Sequence, residues 1–416
     1  MKWKVFKLKA SALHFAILVS VIVALLLSSF LLLTYTFSTF SIKSDQVLEN
    51  IMQSNLGIEY LFDSEIKVAD SLEIQLNQAP VILKKSYWGS FEKVSSKAGI
   101  GFIAFEKIAL LGSISGAERT SIYVEDHQLP LVVVGNTRIE GNAYLPENNI
   151  KPGNIAGNYY QGNNLIYGKH SKSEKRLPEL DPEWKLYAME MLEFAPNPNE
   201  DVVGLDNLSN SFFNNRKVIY QSDKIFLEQE VKGYIIVKSE TEIEVSQFAK
   251  LDQVLLIAPK VVFNNRFKGN VHVIANEVLV QENVVLAYPS SIVVMGKDPI
   301  KEENGFVSKP KIEIGKATIF QGNIIYLDSS KDSQSKNDIL IYENVLIEGT
   351  VYCEGYTELQ GTVVGSVLTS YFVANQEGSI YINHIYNGQV LTNKANPEIC
   401  GILYEHARNK IASWLY

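Results

Sequence analysis

The chain has 416 residues, of which 46% are apolar and 20% charged, and a formal net charge of -8. That composition excludes general disorder, and the length suits one large or two to three ordinary domains. Lys2, Lys4, Lys7 and Lys9 precede any acid, so the remainder carries 34 basic against 46 acidic residues, which argues against nucleic acid as a partner.

From Ala12 to Thr34 the sequence reads "ALHFAILVSVIVALLLSSFLLLT", without a formal charge. A helix of that length spans roughly 34 Å, enough for the hydrocarbon core of a bilayer. The run is long for a signal-peptide core, no A-x-A site or lipobox cysteine follows it, and it has no polar face of the kind a soluble helix keeps. Leu13, Phe15, Ile17, Leu18, Val21, Leu25, Leu26, Phe30 and Leu32 are the predicted membrane anchor. Lysines before the span and none until Lys43 place the N-terminus in the cytoplasm and the rest outside it, at an inner membrane crossed once. His14 reads as a tolerated interfacial residue near the end of the span.

After the span, Val47, Ile51, Leu56, Tyr60 and Leu61 recur near helical spacing, with a break expected near Gly57. A charged tail, the small-residue start "KASAL", the apolar helix and "NLGIEYLF" together resemble the N-terminal region of pseudopilins and minor pilins of the PilX/GspK type. Ala10 and Phe15 stand where typical prepilins place a glycine and an acid around their cleavage site. The resemblance covers about fifty residues and implies a component of a pilus- or secretion-like machine.

From residue 65 to 170 short alternating segments such as "SEIKVADSLEIQL" and "SIYVEDHQLPLVVVG" predict strands broken by Asp126, Pro130 and Gly135. Asp126-His127 reads as turn chemistry. Residues 171–230 are charged and proline-punctuated. Trp184, Tyr187, Ala188 and Met191 share one face of a predicted short helix that packs on the β body. From 231 onward aliphatic clusters return every 17 to 32 residues, at Ile235, Val254, Val271, Ile292 and Ile324. Asn-Gly and Asp-Gly hairpin turns are nearly absent, so the strands are predicted to stack in parallel one coil later. FNNR at Phe213 and again at Phe263 supports a repeat, and Gly349, Gly355, Gly361 and Gly365 read as corners. Val345, Ile347, Val351, Leu359, Val363 and Val367 are candidate interior residues. Residues 337–395, with their "GTV" texture, resemble bactofilins, which implies a shared β-helical architecture. Leu403, Ala407, Ile411 and Trp414 share a face of a predicted C-terminal capping helix.

The predicted fold is thus mainly β: a transmembrane helix, then a parallel, right-handed β-helix or solenoid with a short helical insertion and a C-terminal capping helix. Its divisions are a cytoplasmic basic tail (1–11), the transmembrane helix (12–35), an extracytoplasmic helical stalk (36–64), a β-rich first part of the solenoid (65–170), the charged insertion (171–230), the β-helix (231–398) and the cap (399–416). No G-x-S-x-G, H-E-x-x-H, phosphate loop or Cys/His ligand spacing occurs, so no catalytic, cofactor-binding or metal residue is assigned and no cofactor is expected. Glu240, Glu242 and Glu244 point one way along a strand and read as a solvated face. Cys353 and Cys400 are open to a disulfide or to two buried thiols. The expected partners are the lipid bilayer and other proteins or copies of the chain in the envelope. The leading function is a structural or scaffolding one. The alternatives are an adhesin or glycan-binding solenoid using Tyr159, Tyr160 and Tyr167, and a polysaccharide lyase or glycosidase with carboxylates on one face.

Overall fold

The computed structural model describes residues 10–63, 66, 71–76, 79–114, 120–147, 149–196, 200–296, 310–328, 337–376 and 378–416. Most of the basic tail, residues 1–9, lies outside the described residues.

Helix α1 (Ala10–Tyr60) runs for 51 residues, long and apolar enough to cross a membrane. Some hydroxyls within it return to its own backbone, as Thr34 Oγ1 does to Phe30 O at 2.9 Å and Thr36 Oγ1 to Leu33 O at 2.9 Å, which pairs those donors in an apolar surrounding. The expected break at Gly57 is not there. Its Cβ position is occupied by Ser96, Leu83 and Val81, so Gly57 marks a close approach of helix to sheet. Buried positions fall at 50, 53, 54, 57, 58 and 61, an i, i+3, i+4, i+7 stripe that begins with polar and small residues and ends with Ile58 and Leu61. Leu56 and Tyr60, apolar in the sequence pattern, lie outside that stripe and are exposed.

The helix rests on an antiparallel meander of β1 (Leu72–Leu76), β2 (Ala79–Trp88), β3 (Phe91–Ala98) and β4 (Phe105–Ser113). Ser54 Oγ donates to Ser96 O at 2.7 Å and Asn50 Nδ2 to Ile103 O at 2.8 Å, while Ile58 and Leu61 fill the apolar centre with Val81, Leu83, Val94 and Leu111. The outer edge of β4 is closed by the strand Asn409–Leu415, antiparallel. This corrects the C-terminal helix expected over 399–416. An open edge of β4 presents unpaired N–H and C=O groups, and satisfying them outweighs the helical spacing of Leu403, Ala407, Ile411 and Trp414.

From Thr120 onward most strand pairing is parallel, the exceptions being the short hairpins Asn154–Tyr159 and Val373–Ile382 and the C-terminal strand. One column of facing residues runs Ile219, Val237, Leu256, Val273, Ile292, Ile324, Val351, Val367, Ile122, Ala143. All are buried in one continuous aliphatic core, with Val345, Ile347, Leu359 and Val363. Gly322, Gly349 and Gly365 face one another at successive levels with φ of +140°, +146° and +157°. A Cβ on Gly349 would run into the carbonyl of Gly322, so the turn at this corner is closed by backbone approaching backbone.

The column order departs from chain order. The expected first part, 65–170, divides at 114/120: residues up to Ser113 belong to the antiparallel sheet, and 120–172 lie beyond Thr362–Gln376 rather than ahead of residue 231. The parallel ladder ends at His170–Lys172 on one side and at Asp201–Val203 on the other. The stretch between them is a return strap carrying α2 (Pro182–Leu192), capped by Asp181 Oδ1 accepting from Trp184 N at 2.9 Å. Strands already resume at Asp201, so the charged insertion is shorter than the expected 171–230. Trp184, Ala188 and Met191 are buried between strap and ladder, which is packing and not an open groove. The FNNR copies occupy different corners: Phe213 is 50% exposed in a turn, and Phe263 is buried at a strand end.

The two sheets are latched together. Gly89, at φ +59° in the β2–β3 turn, sits against His272 and Ser291 with no room for a Cβ. Trp88 Nε1 donates to Gln253 O at 2.8 Å, Ser90 N to Ser291 Oγ at 3.1 Å, and Trp184 Nε1 to Gly89 O at 3.0 Å.

Candidate functional site

The anchor side chains assigned from sequence all lie on the undocked part of α1. Their exposure runs from 49% at Val21 to 67% at Phe15, and nothing in the body covers them. Such a surface is stable only in an apolar medium or against other apolar helices.

Tyr159, Tyr160 and Tyr167 gather near the His170 end of the ladder but do not form a platform. Tyr159 is 64% exposed. Tyr160 packs on the aliphatic core and donates its hydroxyl to Asn164 O at 2.5 Å, and the Tyr167 ring is covered by the Arg138 guanidinium at 4.3 Å. The Glu242 and Glu244 carboxylates are bridged by Lys224 at 2.8 and 2.5 Å. Cys353 and Cys400 are both buried and free, and burial pushes the Cys353 thiol above the ordinary thiol range.

A cleft of about 810 Å³ lies between the strap and the parallel ladder. Its floor is an aromatic stack rising across three successive levels: Tyr356 on Tyr371 at 4.9 Å and 12°, then Tyr371 on His127 at 4.0 Å and 10°. The register explains it. Tyr356 faces Tyr371 across paired strands, and Glu125 N bonds Thr369 O, which sets His127 on the next level. The Asp126 turn aims the imidazole: Asp126 Oδ1 accepts from Gln128 N at 2.9 Å, with Gln128 at φ +61°.

Around the stack, carboxylates are held by internal donors. Glu125 lies 3.4 Å from His127 Nε2 and accepts a short hydrogen bond from Ser370 Oγ. Burial pushes its carboxyl up, but these contacts and the Arg176 charge outweigh it and hold the group below the usual carboxylate range. Glu354 pairs with Lys185 at 2.9 Å and accepts from Asp328 N at 3.1 Å; Asp338 accepts from Tyr356 N at 2.9 Å. Burial first, then Asp338, raises the Tyr356 phenol, and burial first, then Tyr356, raises Tyr371, so both keep their protons. Chemically this is a floor of hydrogen-bond acceptors and amphipathic rings. The Ser370 hydroxyl is committed to Glu125 and not to an imidazole, so the trio is not a serine–histidine relay. Among the described residues no group of three or more His, Cys, Asp or Glu is placed to hold a metal ion. The sequence reading reached only Asp126-His127 here. The cleft draws on segments near 125, 180, 330, 355 and 370, and no local motif marks them as neighbours.

No protein-family model matches the chain, and no curated protein matches it. Among solved structures, the competence-associated pilin ComZ from Thermus thermophilus is similar over 89% of this chain and 98% of that one, at 9% identity and a TM-score of 0.20. Similarity at that level bears on neither fold nor function.

Proposed function

We propose that the chain is a single-pass envelope protein whose parallel ladder is a right-handed β-helix serving as a rigid scaffold in a pilus- or secretion-like assembly. In this reading residues 12–35 cross the inner membrane, the N-terminus is cytoplasmic and the body lies outside. The observation that carries it is the division of α1. Its apolar part is bare, and its other end, residues 50 to 61, is seated on the antiparallel sheet without a flexible linker. The Trp88–Phe91 turn then joins that sheet to the ladder. A displacement of the anchor is thereby transmitted to the whole body, which suits a scaffold better than a tethered enzyme.

For the β-helix, the supporting facts are the parallel registers, partners recurring 15 to 34 residues apart, and the glycine corner at Gly322, Gly349 and Gly365. Parallel crossovers are right-handed in nearly all proteins. Fractionation with alkaline carbonate, followed by protease treatment of intact spheroplasts expressing the full chain, tests the topology. The expected result is a carbonate-resistant protein whose body is digested from outside. Carbonate release, or a body protected until lysis, would overturn it.

A further inference from the structure

The hairpin that joins β3 to β4 leaves two large apolar side chains bare at its tip. Phe102 is fully exposed and Ile100 is 81% exposed, on and beside a single 3-10 turn, Gly101–Ile103, that buries no side chain. A Cβ added at Gly101 would meet nothing within 4 Å, so the tip projects clear of the body. We propose that this tip is a second membrane contact, with Ile100 and Phe102 seated in the headgroup layer of the same phospholipid bilayer that α1 crosses. The proposal rests on the reading of α1 as a membrane span.

Three observations carry it. The first is direction. On β4, Lys107 bonds Asn55, and just before that strand Ile103 O accepts from Asn50 Nδ2 at 2.8 Å. On the β3 side, Ser96 O accepts from Ser54 and Gly99 rests against Asn50. Along both strands the contacts thus move toward the N-terminus of α1 as the tip is approached, which puts the tip on the membrane side of the body. The second is reach. No formal charge occurs from Ala10 to Ile42, a run roughly 50 Å long at about 1.5 Å per residue, against the about 40–45 Å of a bilayer with its headgroups. Fitting that run into the layer takes a tilt of roughly 30°, inside the usual range, and a tilt lowers one flank of the body onto the surface. Asn50 stands only about 12 Å beyond Ile42 along the axis. Tyr35, Phe37 and Phe40, all exposed, fall in the last part of the run, as interfacial aromatics do. The third is composition. Between Glu92 and Glu106 no acid occurs, and the charges there are Lys93 and Lys97, the latter exposed. An apolar tip backed by a lysine matches a layer that is apolar within and phosphate-bearing at its face. Two side chains offer far less than the about 800 Å² per partner of a stable protein interface. A bilayer already held close by α1 needs only a small contact, because the second attachment is intramolecular.

The test places an environment-sensitive fluorophore on single introduced cysteines of the full chain, the native Cys353 and Cys400 being buried. The protein is reconstituted in vesicles of phosphatidylethanolamine and phosphatidylglycerol that carry a nitroxide lipid, labelled either on the headgroup or at mid-chain. Labels at Phe102→Cys and Ile100→Cys are expected to lose most fluorescence to the headgroup nitroxide. Phe30→Cys in α1 should lose most to the mid-chain nitroxide, and Asn163→Cys on the ladder should lose none to either. Adding Phe102→Ser should relieve the quenching at Ile100→Cys. Tip labels that stay unquenched while Phe30→Cys is quenched overturn the hairpin contact and leave the anchor standing. An unquenched Phe30→Cys label sinks the span itself, and the placement of the hairpin with it. Tip labels shielded from water yet untouched by nitroxide lipid would mean that a protein covers the tip. Equal quenching at Asn163→Cys would mean that the body lies broadly on the surface. Either result overturns the proposal, as does an Ile100→Cys label indifferent to Phe102→Ser.

Discussion

His272 is fully buried beneath the β2–β3 turn, its ring nitrogens 2.9 Å from Ser291 Oγ and 3.3 Å from Gln253 Oε1. Burial pushes its pKa down to about 3. In the unfolded chain the same imidazole takes a proton near pH 6.5. The unfolded state therefore binds more protons between those values, so stability is full above about pH 6.5 and falls as the pH drops toward 3. Glu92, raised chiefly by burial although paired with Lys85 at 2.7 Å, works in the opposite direction in part of that range, so the variant comparison is the informative one. Thermal melts from pH 7 to 4.5 should show a decline that is shallower in His272→Gln. Equal slopes would mean that His272 takes up its proton at the same pH in the folded and unfolded protein. The sequence shows this histidine only as one of six scattered ones; its neutrality comes from the turn that lands on it.

The strands of the ladder gain their shape from the alternation of inward aliphatic and outward residues, and their corners from glycine. Gly349 is one of three equally crowded corners, with Gly322 and Gly365. With φ at +146° and the Gly322 carbonyl where a Cβ would stand, Gly349→Ala should cost about 2–4 kcal/mol, read as a lower urea midpoint at unchanged slope. Gly355, also expected as a corner, has its Cβ position filled by the Asp338 carboxylate instead. The interior positions expected from sequence, Val345 to Val367, are buried because period-two alternation is a local property that survives any choice of neighbour. The C-terminal strand was not legible in this way. Its helical spacing is real, but the edge of β4 decides the conformation.

For the molecule as a whole, the telling feature is that the strands built from residues 120–172 pair onto the strand Thr362–Gln376, with Ile122 facing Val367. A pairing between segments so far apart in the chain makes the fold strongly non-local. The Trp88 latch further binds the antiparallel sheet to the ladder, with the indole packed against Phe212 at 5.7 Å and Tyr234 at 5.1 Å, two rings that stack on each other at 5.0 Å. Wild-type protein should therefore unfold in urea as a single transition by both near-ultraviolet and far-ultraviolet circular dichroism. Trp88→Ala, which removes a large buried side chain at a cost of about 3–5 kcal/mol, should separate it into two. A variant that still unfolds in one step would show that the strap, and not the indole, holds the sheets together.

The amino-acid order alone was enough for the features that depend on near neighbours: the apolar helix, the aliphatic rhythm of the ladder, and the short helix carrying Trp184. The order of the coils, the strand that replaces the expected cap, the seating of Gly57 and the assembly of the cleft all required the folded chain. Hydrophobic periodicity tells a segment which face to bury, but the parallel strand it will meet, and the side chains that arrive beside it from two hundred residues away, are chosen by closure of the whole molecule.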